Sequence, residues 1–163
     1  MMRAVRWLIN AGGRARVGAA FVVLSTLMPA AAIAGAVTCS PTKVKAVTSD
    51  TFRSTTSTTF VRLTETGGRF TQGGTKASCV MVRFEGYVAT DVDNVLTIFA
   101  TIDGKPIGER QLAYAAVVYQ PRAWTFIVPS VAPGTHVIRF DFSTNNGKAV
   151  SVNSTNTIIY HAP

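Results

Sequence analysis

Histidine and acidic residues are scarce in this chain of 163 residues, which has two histidines and eight acidic residues against sixteen lysines and arginines. Enzymes use constellations of such residues for acid–base chemistry and for zinc. The sequence has no G-x-S-x-G nucleophile motif and no finger-like spacing of cysteine and histidine. Its glycine pairs precede no predicted helix that would cradle a phosphate. We therefore expect no catalytic residue, no metal ligand and no cofactor.

Long apolar runs are absent after residue 28, and the run Val17–Met28 is shorter than the roughly 20 residues that span a bilayer. It follows four arginines and precedes small residues that include an A-x-A cleavage pattern. We expect residues 1–34 to be a signal peptide cleaved after Ala34, with Ala36 as the alternative site and a retained anchor as the competing interpretation. The protein is then secreted or periplasmic, without stable membrane insertion.

Basic residues form no cluster in the remaining chain. The four N-terminal arginines leave with the predicted signal peptide, while all eight acidic residues stay, so the formal charge falls from +8 to +4. The other basic residues are scattered singly, whereas a phosphate backbone needs a contiguous basic track. We expect no nucleic-acid partner. We also expect residues 35–163 to form one domain, because their number suits a single core.

Cysteine is rare, and Cys39 and Cys79 are the only two. An exported protein meets an oxidising compartment, so we expect these two residues to form a disulfide. The alternative, in which Cys39 is the acylated residue of a lipoprotein, fits poorly because Thr38 is bulkier than the residue that such signals carry at that place.

No sustained apolar period of 3.6 residues occurs after the predicted signal peptide, and short alternating segments occur instead. Seven to nine strands with turn signals every 8–12 residues predict an all-β fold, a single antiparallel β-sandwich or jelly roll. An outer-membrane barrel is the competing all-β fold, but the paired aromatic girdles of such barrels are missing. The Ser- and Thr-rich residues 48–59 fit one or two strands. The glycine pairs of residues 66–76 predict a loop.

Turn signals locate several of the other strands. Asp103-Gly104 predicts a hairpin with a type I′ turn, and Pro106 indicates that the returning strand is either an edge strand or irregular. Pro133-Gly134 predicts a corner that leads into a half-buried strand. The end of the chain predicts two short strands, Ala149–Val152 and Thr157–Tyr160, after an Asn-Gly turn.

The two histidines are expected to be structural or solvated. His136 opens the strand after the Pro-Gly corner, and Asp141, the nearest acidic residue along that strand, lies on its opposite face, so no local histidine–carboxylate pair is predicted. His161, close to the end of the sequence, is expected to be solvated. Glu85 lies inside a strong strand pattern, but one carboxylate makes no glycosidase, which needs two.

Aromatic residues and an oxygen-rich turn are the remaining candidates for ligand binding. Trp124 alternates with Phe126 and is expected in the core. Tyr114 and Tyr119 flank a loop and are candidate ligand residues. Tyr87 is a further aromatic residue that could stack on a sugar. A second set of residues suits a polar loop but leaves calcium binding open, because clustered oxygens bind hard cations: Asp91, Asp93 and Asn94.

Four short patterns carry a resemblance to a known group: Cys79–Phe84, Asp103-Gly104, Trp124–Phe126 and Pro133–Phe142. In these the chain resembles small secreted bacterial β-sandwich proteins of uncharacterised function, of Ig-like or jelly-roll type. The resemblance implies a fold and a compartment, and it implies no catalytic or ligand residue.

The sequence therefore predicts a secreted or periplasmic, non-catalytic β-sandwich that binds a protein or a glycan at the cell envelope. A carbohydrate-binding module is the alternative interpretation, and a small secreted hydrolase with a site assembled from separate strands is the second.

Overall fold

The computed structural model describes residues 39–114 and 117–163. For Tyr114 it describes the backbone but not the side chain. The predicted signal peptide and both proposed cleavage positions lie outside these residues. Among the described residues no helix is long and apolar enough to cross a membrane.

Nine strands make up the described chain, as the alternating patterns predict. Their bounds are β1 Lys43–Ser49, β2 Arg53–Thr55, β3 Val61–Gln72, β4 Ser78–Thr90, β5 Val95–Ile102, β6 Lys105–Tyr114, β7 Gln120–Val131, β8 Gly134–Thr144 and β9 Val150–His161.

The strands form two antiparallel sheets. Sheet A has the order β1-β9-β4-β7, with the short β2 also paired to β9, and sheet B has the order β3-β8-β5-β6. Apart from β2, the order is that of a jelly roll, in which successive strands mostly alternate between the sheets. Immunoglobulin-type sandwiches arrange their strands differently. The all-β prediction is confirmed, and the jelly roll is the form that it takes.

The core lies between the sheets and consists of inward-facing residues of both. Val80, Val82 and Phe84 of β4 are fully buried, as their alternation predicts. Ile138 and Phe140 of β8 are buried opposite them. Because side chains alternate across a strand, the residues between them point outward, and these outward rows form the surfaces of the two sheets.

Two predicted turns are confirmed. Asp103 and Gly104 both have positive φ angles, 50° and 79°, as a type I′ turn requires, and they join β5 to β6. Pro106 lies on β6, which is an edge strand of sheet B. The Pro133-Gly134 corner carries the chain from β7 in sheet A to β8 in sheet B.

Cys39 and Cys79 form a disulfide with a Cα–Cα distance of 5.4 Å, so the predicted pairing is confirmed. The bond joins the segment before β1 to the start of β4. It closes a segment of 40 residues.

The loop predicted at residues 66–76 is partly wrong, because β3 continues to Gln72. The strand accommodates its glycine pair by a bulge between Leu63 and Gly68. A Cβ atom on Gly67 would overlap the backbone carbonyl oxygen of Ile138, so glycine is needed for the close approach of two strands and does not mark a turn here.

The two short strands predicted at the end are one continuous strand, β9. The polar residues between them form a bulge opposite Gly86, in which Ser154 has a φ of 45°.

The prediction of a solvated His161 is also wrong. Its relative exposure is 6%, and its ring lies against Phe70 with centroids 5.2 Å apart. The residue is the last of β9 and pairs with Lys43 of β1, so the sheet extends far enough to cover it.

Candidate ligand-binding site

The outer face of sheet A carries an open groove of about 370 Å³ across β7, β4 and β9. Its position follows from the strand register, in which Glu85 lies opposite Ala123 on one side and Asn156 on the other. Tyr87 lies in the next outward row, opposite Pro121 and Asn153. We call this depression the Tyr87 groove.

The bulge of β9 shapes this groove. Glu85 pairs with Asn156 and Tyr87 pairs with Asn153. The two β9 residues at positions 154 and 155 therefore lie opposite the single residue Gly86 of β4. A Cβ atom on Gly86 would approach the Thr155 side chain to 3.2 Å, so a larger residue would have to push that side chain aside. The polar Asn-Ser-Thr-Asn segment therefore leaves the flat plane of the sheet, and Ser154 lines the groove.

Tyr87 supplies an aromatic surface at the groove. Its relative exposure is 49%, and it stands beside Pro121, whose pyrrolidine ring adds a second apolar surface. Exposed aromatic rings bind the apolar faces of ligands and keep a polar end for hydrogen bonds.

Polar side chains stand next to this ring. Arg83 Nε forms an ion pair with Glu85 Oε1 at a distance of 2.6 Å, and Asn156 Nδ2 donates to Glu85 Oε2 at 3.4 Å. Arg122 lines the same groove. In the part of the chain that the structure describes, Asn156 Oδ1 is a buried acceptor without a hydrogen-bond partner.

The tyrosines predicted as ligand residues lie elsewhere. Tyr119 has a relative exposure of 46% and precedes β7, but it does not line the Tyr87 groove. Tyr114 ends β6, and its side chain lies outside what the structure describes. Tyr87, which the sequence offered only as one of several aromatics, is the tyrosine that the fold combines with other polar groups.

His136 forms a carboxylate pair that local sequence does not predict. Its Nδ1 lies 2.6 Å from Asp103 Oδ2 of the β5–β6 turn, and its Nε2 lies 2.8 Å from the Ala132 carbonyl oxygen. Val137 N–H donates to the other oxygen of Asp103 at 2.8 Å. The pair therefore connects the hairpin to the Pro-Gly corner, between residues 33 positions apart.

The geometry at His136 favours the imidazolium form. Burial lowers the pKa of His136, but the acceptors Asp103 and Ala132 outweigh it and hold that pKa above its ordinary value. The hydrogen bond from His136 holds the pKa of Asp103 below its ordinary value. Since both ring nitrogens face acceptors, neither is available in this arrangement to take a proton from a nucleophile.

The oxygen-rich turn uses its polar atoms to join two loops. Asn94 is buried, and its Nδ2 donates to the carbonyl oxygens of Lys148 and Ala149, both at 3.0 Å. Its Oδ1 accepts the Thr144 hydroxyl at 2.6 Å. Asp91 accepts from Ala149 N–H at 3.2 Å. Among the residues described, no group of three or more His, Cys, Asp or Glu is arranged to hold a metal ion.

The sequence does not predict that Arg53 is buried or that it pairs with Glu65. The side chain of Arg53 is 7% exposed and contacts Glu65 Oε2 at 3.0 Å, while Glu65 itself is 63% exposed. Hydrogen bonds from Thr51 and Ser49, together with Arg53, hold the pKa of Glu65 below its ordinary value. The Ser- and Thr-rich composition of this segment gave no signal for it.

No protein-family model matches the sequence, and no match is found among curated proteins. The structure is similar to that of the infectious bursal disease virus VP2 subviral particle, with a TM-score of 0.53, 11% identity and coverage of 74% of this chain. The chain spans about a third of VP2, 32% of its length. This likeness shows a shared fold.

Two further structures match less closely. The EclA C-terminal domain, described as a sugar-binding protein, has a TM-score of 0.39 and 9% identity, with 80% of this chain and 89% of that domain covered. A CBM36-1 domain of a multidomain xylanase from the hindgut metagenome of Trinervitermes trinervoides has a TM-score of 0.40 and 13% identity, with 71% and 96% covered. Likenesses this distant say nothing about the ligand of this chain.

Proposed function

We propose that this protein is a non-catalytic binding module that holds a saccharide in the Tyr87 groove. The observation that carries the proposal is the combination of a half-exposed tyrosine with hydrogen-bonding side chains in one open groove: Arg83, Glu85, Arg122 and Asn156.

A saccharide fits this combination because a sugar ring has an apolar face edged by hydroxyl groups. The ring of Tyr87 and the neighbouring Pro121 offer a surface to the apolar face. Glu85 and Asn156 offer acceptors and a donor to the hydroxyls, and the guanidiniums of Arg83 and Arg122 offer further donors. The groove is open, so a chain of sugars can continue beyond it.

The charges in the groove support binding without hydrolysis. Glycosidases generally use a pair of carboxyl groups on either side of the scissile bond. Glu85 is the one carboxylate among the described lining residues, and it forms an ion pair with Arg83, so the groove offers no second carboxyl group across from it. The occupied nitrogens of His136 likewise favour a structural role.

The disulfide supports the expected compartment, because such bonds persist where the surroundings are oxidising. A secreted or periplasmic protein would meet envelope or extracellular glycans there. A protein partner at the envelope stays a prediction.

The test is a screen of neutral oligosaccharides on a glycan array, followed by calorimetric titration of the hits. Tyr87→Ala should weaken binding at least about tenfold, since a stacked aromatic contributes on the order of 1.5 kcal/mol. Tyr119→Ala, which removes a tyrosine of similar exposure outside the groove, is the matched control and should bind normally.

Three results would count against the proposal. Binding of no saccharide removes the glycan as ligand. Loss of binding in Tyr119→Ala with retention in Tyr87→Ala moves the site to the loop before β7. Release of reducing sugar from a bound glycan would identify the protein as a hydrolase.

A further inference from the structure

The outer face of sheet B has a depression of about 380 Å³ that is lined by three arginines. Arg62 and Arg69 belong to β3 and Arg139 belongs to β8, and all three are exposed. We call it the arginine depression. It lies on the sheet opposite to the one that carries the Tyr87 groove.

The bulge of β3 brings these arginines to one place. Leu63 pairs with Phe140 and Gly68 pairs with Ile138, so Arg139 faces the four bulged residues 64–67 and has no single partner on β3. Since the bulge separates Arg62 from Arg69 along the strand, the two flank it on the same outer face. Gly67 and Gly68 of the bulge line the depression between the arginines.

The acidic groups nearby are already engaged. Asp141 accepts from Arg62 Nε at 2.8 Å. Glu65 lines the depression, but it is bound to Arg53 at 3.0 Å and accepts from the Thr51 hydroxyl at 2.7 Å.

The remaining cations are not compensated in this way. Within residues 39–114 and 117–163, the guanidiniums of Arg69 and Arg139 contact no hydrogen-bond acceptor and no carboxylate. Lys45 does not line the depression, but its ammonium lies next to the β3 backbone there, where Nζ donates to the carbonyl oxygen of Arg69 at 2.6 Å. The depression therefore carries an excess of positive charge over its own carboxylates.

We propose that the arginine depression binds the oxyanion group of a compact ligand about the size of one sugar unit. A guanidinium presents parallel N–H donors that match two oxygens of a carboxylate, sulfate or phosphate. The volume lies in the range of pockets that hold small organic ligands and exceeds what a lone inorganic oxyanion fills.

The shape of the site favours a compact ligand over a polymeric polyanion. Its arginines surround one bulge rather than following a line along the sheet, as a nucleic-acid backbone would require. None of its described lining residues is aromatic, so no base could stack there.

The test compares ligands on one sugar scaffold. The full chain is titrated calorimetrically with glucose, glucuronate, glucose 6-sulfate and glucose 6-phosphate, which separates carboxylate, sulfate and phosphate. In a Tyr87→Ala background, which removes the aromatic surface of the other groove, at least one anionic sugar should bind while glucose does not, and the affinity should fall as the salt concentration rises.

Variants locate the site. Arg69→Gln/Arg139→Gln should weaken binding at least about tenfold, because two charge-assisted interactions are lost. Arg139→Lys keeps the positive charge but loses the paired N–H donors of the guanidinium, so its affinity should lie between that of the parent chain and that of the double variant. The control is Arg110→Gln, which removes an arginine that lies over the Phe60 ring at 5.1 Å and does not line the depression.

The proposal is overturned if no anionic sugar binds, or if Arg110→Gln weakens binding as much as the double variant does. It is overturned equally if inorganic sulfate or phosphate binds as tightly as the sugars, or if duplex DNA or anionic lipid vesicles bind more tightly through the same arginines. Tyr87→Ala should leave this binding unchanged, so failure of the Tyr87 groove and failure of the arginine depression are distinguishable.

Discussion

Phe84 and Trp124 lie opposite each other on β4 and β7, with nearly parallel rings whose centroids are 5.9 Å apart. Phe84 also contacts Phe140 of sheet B, with centroids 4.6 Å apart. These rings connect the two sheets at the centre of the core. Trp124 is 8% exposed, so the prediction that it is a core residue and not a sugar platform is confirmed.

Replacing Trp124 by alanine should lower the free energy of unfolding by about 3–5 kcal/mol, because a cavity forms beside Phe84. Trp124→Phe keeps a ring and should lose less. Urea unfolding measures both. In a Trp7→Phe background, where Trp124 is the sole tryptophan, its fluorescence should be blue-shifted and poorly quenched by iodide. A solvent-like emission in the native state would contradict the buried position.

Reduction of the Cys39–Cys79 disulfide should destabilise the protein, because the bond closes 40 residues of chain. The restriction of the unfolded chain has an upper value of about 4 kcal/mol for this length. The melting temperature with and without reductant measures the effect. A Cys39→Ser/Cys79→Ser variant should melt at the temperature of the reduced protein, and adding reductant should not change its melting temperature. Free thiols in the unreduced, denatured protein would refute the bond.

Arg53→Ala should lower the free energy of unfolding by about 3 kcal/mol, because it removes a buried cation that binds Glu65 and three further acceptors. Arg62→Ala is the matched control. It breaks an exposed ion pair with Asp141 and should cost less than about 1 kcal/mol. Chemical unfolding compares the two variants, and equal losses would show that burial of Arg53 contributes nothing.

The pair of His136 and Asp103 should make stability depend on pH in a defined direction. The pKa of His136 is raised in the folded protein, so its contribution is complete below the ordinary histidine value of about 6.5 and is lost as the pH rises through the raised value. The pKa of Asp103 is lowered, so its contribution is complete above the ordinary aspartate value and is lost as the pH falls through the lowered one.

His136→Gln should therefore reduce the melting temperature most between about pH 4 and pH 6.5, with a shrinking difference from the parent chain as the pH rises. Asp103→Asn should give a similar profile, and the double variant should lose little more than either single one. A difference that grows with pH would mean that His136 is neutral in the folded state.

The parts of the fold that local sequence determines were predicted correctly. Alternation gave the inward residues of β4 and β8, and turn chemistry gave the hairpin at Asp103-Gly104. Glycine pairs mislead the prediction of loops, because a glycine pair in the sequence indicates a turn, whereas Gly67 allows a close approach between two strands. A glycine pair in the sequence fits either a turn or a close approach of two strands, and only the position of the partner strand distinguishes these two structures.

The candidate site depends on pairings that a single sequence does not contain. In a jelly roll, most strands that are neighbours in a sheet are far apart in the chain, and Glu85 therefore contacts Asn156, which lies 71 positions away. His136 finds Asp103 in the same way. The bulges that shape the Tyr87 groove and the arginine depression likewise arise from register, and the polar residues that form them resemble ordinary loops in the sequence.

The most direct test of the account is to map ligand contact with the Tyr87 groove by recording amide and tyrosine ring signals in NMR spectra during titration with a bound oligosaccharide. The account predicts that the ring signals of Tyr87 and the amides of residues 83–87, 122–123 and 153–156 shift together, and that Tyr87→Ala abolishes the changes while Tyr119→Ala preserves them. Shifts confined to other surfaces, with Tyr87 unmoved at saturating ligand, would contradict it.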